Sequence, residues 1–394
     1  MRTAIKTIIP QRFTLRMDPI FIGSVLALLG LGLIMVTSAS IAVAERKMGQ
    51  PFYYTLHQSI GLLLGFFSAL FVCSVPIKLW FRLSGMMMLF SLLLLVLVLI
   101  PGIGRVVNGS ARWLNFGFTA FQVSEICKLS VVIYIASYVV RHNEALKLRL
   151  SGFIRPMILL AIIGALLILE PDFGATVVIM LTSLAMLFLA GVPLWQFLVL
   201  LILVGGTLGA VAISAPYRLA RLTSFLDPWA VQFDGGYQLT QALIAFGRGG
   251  WFGVGLGSSL QKLFYLPEAH TDFVFAVLAE ELGLVGAIGT IVLYILFVWR
   301  GMIIGLNAEK RSDKFAAFVC YGISLWVGLQ TLINIGVNTG VLPTKGLTLP
   351  FISYGGSSTL IICVAVGLLV RVDYENRLAQ SRGDRHWALR KQKS

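Results

Sequence analysis

Apolar runs of about 15 to 25 residues recur along the whole chain, parted by short polar segments. An α-helix needs about 20 such residues to cross the hydrocarbon layer of a bilayer. The pattern predicts ten helical spans, near 19–44, 54–75, 80–100, 121–140, 156–170, 174–191, 194–215, 272–299, 315–338 and 356–370. The fifth and sixth come from one apolar stretch that Glu170-Pro171-Asp172 divides. A proline between two acids favours a turn at a surface. The first run ends in Ala42-Val43-Ala44, similar to a signal-peptidase site, but its length marks a retained anchor.

Composition agrees with the pattern. Hydrophobic residues make up 58% of the chain and charged residues 12%, about half the charge of a soluble domain. The expected fold is all-α: a polytopic integral membrane bundle of ten transmembrane helices with no separate soluble domain. Residues 1–18 form a basic tail, 19–370 the membrane domain with a long outer loop at 216–271, and 371–394 a second basic tail.

The net charge of +14 does not mean nucleic acid, because the cations lie mostly in short loops and the tails. With both termini cytoplasmic, the cytoplasmic segments hold 21 Lys and Arg and the outer segments 9. That is the positive-inside asymmetry. Merging the spans on either side of Pro171 would export the 300–314 loop and the C-terminal tail with their cations, so the break stays.

Candidate chemistry gathers on the outer side. In Leu266-Pro267-Glu268-Ala269-His270-Thr271-Asp272-Phe273, Asp272 stands where an aqueous loop becomes a membrane helix, and an ionisable residue at such a depth is a functional candidate. The same residues suit a structural role, Thr271 as cap and Asp272 at the positive end of the helix dipole. A paired-carboxylate site with Glu280 fails, since eight residues span about 12 Å of helix. If Asp272 does chemistry, it acts alone as a base.

The 216–271 loop is long enough to be functional. Within it, Tyr237 to Phe246 suits an amphipathic helix lying on the membrane surface. The glycine run from Gly247 to Gly257 has no GK[ST] ending and no preceding strand, so it reads as a flexible or tightly turned loop rather than a nucleotide motif.

Leu342 to Ser358 brings glycines and serines, Ser353 and Ser357 among them, to the start of the last span. Their backbone N–H groups could cradle an anion, with Lys345 as a nearby cation. Ordinary capping is the alternative. Since the eighth and tenth spans both begin outside, Asp272 and this cradle could face one cleft. Deeper, Glu125 and Lys128 share a helix face at i, i+3 and can pair, as a structural lock or as the lining of a polar path. Arg105 and Arg112 suit lipid phosphates or simple interfacial anchoring.

Other chemistries lack support. The four cysteines sit in or beside apolar helices without CxxC spacing, and the four histidines are scattered. No Gly-x-Ser-x-Gly or helical HExxH appears.

Together these residues resemble the SEDS family (shape, elongation, division and sporulation). The resemblance rests on Arg112-Trp113, Ser124-Glu125 with Lys128, Pro171-Asp172-Phe173-Gly174, Gly236-Tyr237-Gln238 with Gly247-Arg248-Gly249, Pro267 to Phe273, and Pro350 to Ser357. Val123 departs from it, standing where the family usually carries proline. Leu342 to Pro350 is nearer the division-type member than the elongation-type one.

The resemblance implies a glycosyltransferase that polymerises lipid II at the outer face of the bacterial inner membrane, at the division septum. It implies Asp272 as the catalytic base, with Lys345, Ser353, Ser357, Arg248, Arg112 and His270 as substrate contacts. A divalent cation (Mg or Mn) would help with the departing pyrophosphate, its ligands being unknown, and no organic cofactor is expected. Implied partners are a class B penicillin-binding protein and other division proteins. A lipid II flippase is the competing function. It would need a path through both faces and often repeated halves, and no internal repeat is evident. A scaffold without activity is a third reading, which leaves Asp272 and Lys345 without a task.

Overall fold

The computed structural model describes residues 17–107, 110–115, 120–199, 202, 227–233, 236–343 and 346–391. The helices are α1 (Pro19–Met48), α2 (Tyr53–Ser74), α3 (Ile77–Leu99), α4 (Val123–Arg141), α5 (Asn143–Leu148), α6 (Leu150–Leu169), α7 (Phe173–Leu189), α8 (Tyr237–Gly249), α9 (Val274–Lys310), α10 (Lys314–Asn338) and α11 (Gly356–Lys391). Eight of them are long and apolar enough to cross a membrane, and Phe173–Leu189 is a shorter apolar helix. Nine of the ten expected spans thus fall on described helices. The seventh lies outside the described residues except 194–199 and 202, which are helical.

The break at Pro171 is real: α6 ends at Leu169, α7 starts at Phe173, and Asp172 accepts a hydrogen bond from the Ala175 amide at 3.2 Å. The last span does not stop near 370. The helix continues to Lys391, braced by Arg371–Glu375 and Arg377–Asp373 pairs at i, i+4.

Helices α4, α10 and α11 form the centre of the bundle, with 83%, 78% and 72% of their apolar windows buried against 22% for α2. A small antiparallel sheet, β1 (Gly104–Val107), β2 (Ser110–Asn115) and β3 (Ala120–Gln122), was not anticipated from the apolar pattern. It leads directly into α4, which begins at Val123.

Helix α9 is two helical pieces joined at Gly283, whose φ of 68° and ψ of −168° break the ladder. The span expected from 272 is therefore interrupted. The glycine run repairs the break. Leu284 and Val285 donate to the carbonyls of Gly250 and Trp251 (2.9 and 3.1 Å), and Val254 and Gly255 donate to those of Glu280 and Glu281 (3.0 and 3.1 Å). A Cβ on Gly283 would stand 2.3 Å from the Gly253 nitrogen, so only glycine allows the contact. The run is a tight loop, with positive φ at Gly250, Gly253, Gly255 and Gly257.

Helix α8 does not simply lie on a membrane. Leu239, Ala242 and Ala245 are buried within the protein, and Phe246 meets Phe275 of α9 at 5.9 Å between ring centres. Small residues permit this close docking: a Cβ on Gly249 would come within 2.0 Å of the Ala279 carbonyl.

Candidate active site

Residues 346–355 run down from the outer side into the bundle. Phe351 packs on Phe297 at 5.2 Å, and its carbonyl lies where a Cβ on Gly32, mid-way along α1, would stand. Tyr294, eleven residues past the α9 break and roughly 16 Å deeper, donates to the Pro350 carbonyl. Irregular backbone at such depth must find its partners inside the protein. Gln330 donates to the Thr348 carbonyl (2.9 Å), Asn334 to that of Leu347 (2.5 Å), and the Ser353 hydroxyl accepts from the Leu349 amide (2.7 Å).

This segment closes on the turn that carries Asp272. Ser353 donates to the Thr271 carbonyl (2.5 Å), and the Tyr354 amide to that of His270 (2.9 Å). A Cβ on Gly346 would stand 2.9 Å from the Asp272 carboxylate, so the residue after Lys345 lies against it. The Pro171–Gly174 turn closes a third side, since a Cβ on Gly174 would meet Leu347 at 2.6 Å. Three stretches far apart in sequence thus meet around one carboxylate.

That carboxylate does not cap its helix. The cap position of α9 is Phe273, with no side-chain capping bond, and the Thr271 hydroxyl donates to Glu268 at 2.7 Å instead. The capping acceptor comes from α10: Asn338 Oδ1 accepts from the Ala276 amide at 3.3 Å. Burial raises the Asp272 pKa to about 7, Glu268 and Asp172 push the same way, and Arg112 opposes them. Burial also holds the His270 imidazole below its ordinary range, partly offset by Glu268, so it is neutral at pH 7. Its ring sits between Tyr54 (4.7 Å) and Tyr354 (5.8 Å).

The other candidates divide. Arg112 is not held free for lipid phosphate, because it donates to the carbonyls of Glu170 (3.2 Å) and Pro171 and braces that turn. Glu170 beside it is buried, with neither carboxylate oxygen bonded among the described residues. Burial lifts its pKa to about 8, with Asp172 adding and Arg112 opposing.

Ser353 is spent on holding the loop, and Ser357 is buried. Arg248 belongs to a different cluster, paired with Glu280 at 2.9 Å beside the α9 break. There Lys262 and Ser38 hold the neighbouring Glu281 at 2.9 and 2.7 Å. Glu125 and Lys128 form the expected pair at 2.9 Å, and Lys128 also donates to Gln330. Lys345 lies outside the described residues.

Sequence reasoning missed Gln330, Asn334 and Asn338; their spacing of four on a central membrane helix was the available signal. Among the described residues no three His, Cys, Asp or Glu converge as metal ligands.

A family model described as "Cell cycle protein" (FtsW, RodA, SpoVE) matches residues 20–378. A Coxiella burnetii protein named "Probable peptidoglycan glycosyltransferase FtsW" is 58% identical over 350 residues, 89% of this chain and 94% of the relative. A chain from the structure titled "Structural coordination of polymerization and crosslinking by a peptidoglycan synthase complex" is 29% identical with a TM-score of 0.76, covering 92% of this chain and 99% of that one. The Thermus thermophilus rod shape determining protein RodA is 27% identical with a TM-score of 0.67, covering 93% and 99%.

Proposed function

Because the chain belongs to the FtsW, RodA and SpoVE family of cell cycle proteins, we infer that it is a peptidoglycan glycosyltransferase of the division type. It joins polyprenyl-pyrophosphate-linked disaccharides (lipid II) into glycan strands at the outer face of the membrane it spans. The observation that carries the site assignment is the Asp272 carboxylate, free of capping, walled by the 346–355 loop and poised near neutral pH.

In this reading Asp272 removes the proton from a hydroxyl of the acceptor sugar. The hydroxyl oxygen bonds to the anomeric carbon of the donor, the bond from that carbon to pyrophosphate breaks, and the polyprenyl pyrophosphate leaves. A base works best with a pKa near the operating pH, which burial supplies here. Lys345, next to Gly346, is proposed to hold the departing pyrophosphate, and Arg112 adds positive potential at longer range. The neutral His270 and its flanking tyrosines are proposed to face the sugars. A divalent ion is proposed only as a companion of the substrate's pyrophosphate.

The match to a synthase complex supports pairing with a class B penicillin-binding transpeptidase. The division-type relatives support placement in the bacterial inner membrane at the septum, among other division proteins.

The test is polymerisation of lipid II by the purified protein with its transpeptidase partner. Asp272→Asn keeps the side chain's size but cannot take a proton, and should lose roughly 10²–10⁴ in rate. Long glycan at the wild-type rate would remove Asp272 from the chemistry and reopen transport as the function.

A further inference from the structure

Gln330, Asn334 and Asn338 follow one another at intervals of four along α10 and so share a face. All three are buried, in the outer half of a helix whose sequence is mostly apolar. At the inner end, Gln330 Oε1 accepts from Lys128 Nζ (2.9 Å) and from the Trp326 indole (2.8 Å), while its amide group donates to the Thr348 carbonyl. In the middle, Asn334 donates to the carbonyls of both Leu347 and Asp272, the latter at 3.0 Å. At the outer end, Asn338 donates to the same Asp272 carbonyl at 3.0 Å and accepts from the Ala276 amide. It also donates to the Asn334 carbonyl at 2.9 Å.

Hydrogen bonds therefore connect the Glu125–Lys128 pair to the backbone of Asp272, with the Leu347–Thr348 backbone bridging the Gln330 and Asn334 rungs. A carboxamide suits each rung, because it both donates and accepts yet carries no charge to be desolvated. It thus binds the turn without adding a cation that would pull the Asp272 pKa down. By supplying the helix cap, Asn338 also relieves the Asp272 carboxylate of that task.

We propose that Gln330, Asn334 and Asn338 form a positioning ladder for the reaction, in which Asn334 and Asn338 hold the Asp272 turn and the 346–349 loop in register and Lys128 anchors the inner rung. This rests on Asp272 being the base. None of the three lies in the motifs that carry the family resemblance. A ladder that positions the base acts on turnover rather than on substrate capture, and misplacement of about 1 Å is enough for a large loss.

The experiment uses full-length protein in lipid nanodiscs with its transpeptidase partner and lipid II as substrate. Asn334→Leu removes two donors at similar size; Asn338→Ser is milder and retains an acceptor for Ala276. Each should lower kcat about tenfold to a hundredfold with KM nearly unchanged. Each should also shift the acid limb of the pH–rate profile downward, as water reaches the loosened turn. In an Asp272→Asn background the same substitutions should cost almost nothing more, because the group they position is already inert.

Equal fold losses in both backgrounds would show a merely structural role and overturn the proposal, as would a wild-type kcat and pH profile in the single variants. If Asn334→Leu does not insert, Asn338→Ser gives the same readouts. A wild-type rate for Asp272→Asn defeats the base assignment and the ladder's purpose with it. A slow Asp272→Asn beside fully active ladder variants defeats the ladder alone.

Discussion

At the scale of single residues, the decisive feature is a carboxylate placed where its charged form is disfavoured. The folded pKa of Asp272 is about 7, above the ordinary carboxylate value. Between those two values the folded protein binds more protons at Asp272 than the unfolded chain does, so this residue makes stability fall as pH rises. The cost is absent below the unfolded pKa and complete above pH 7. Asp272→Asn is accordingly expected to raise the thermal unfolding temperature at about pH 8 and to change it little near pH 4. Scanning unfolding of both proteins at the two pH values checks this. The base must also be ionised to work, so kcat/KM should fall roughly tenfold for each pH unit below about 7. A flat profile down to pH 5 would mean that another group limits the rate.

At the scale of elements, α9 and the glycine loop behave as one unit. Gly283→Ala would force a Cβ against the Gly253 nitrogen at a positive φ, and should destabilise the fold by about 1–3 kcal/mol. Faster amide exchange at Val254 and Gly255, which donate across the break, should accompany it. Two buried acids immediately precede the break, and each has its own cation. Lys262→Met leaves Glu281, fully buried, with Ser38 and one amide as partners, and should cost about 3–5 kcal/mol. Glu281→Gln added to Lys262→Met should recover most of that loss, because the uncompensated charge is gone. Thermal unfolding in detergent measures all three variants.

At the scale of the whole molecule, membrane orientation places the site. Asp272, the 346–355 loop and the Arg112 brace share one end of the bundle, and the Arg300–Asp18 pair joins the opposite ends of α9 and α1. Cysteines introduced at exposed Phe233 and Gln380 should label from opposite sides of intact cells, Phe233 from outside. Labelling of both positions from the same side would move Asp272 to the wrong compartment.

The span pattern and the break at Pro171 were legible in the chain itself, because hydrophobic length and the backbone limits of proline act locally. Motifs marked Asp272, the Pro171–Gly174 turn and the 350–357 loop as special. Their convergence on one carboxylate was not legible, since it depends on contacts between residues as far apart in sequence as Gly174 and Leu347. The roles of polar side chains followed the same rule. Arg248, implied as a substrate contact by the resemblance, meets Glu280 in space, and Ser353 reads as an anion contact but is used to hold a carbonyl and an amide. Whether a buried polar group faces a substrate or its own backbone is decided by which partners the fold brings within about 3 Å, and only the tertiary structure supplies those.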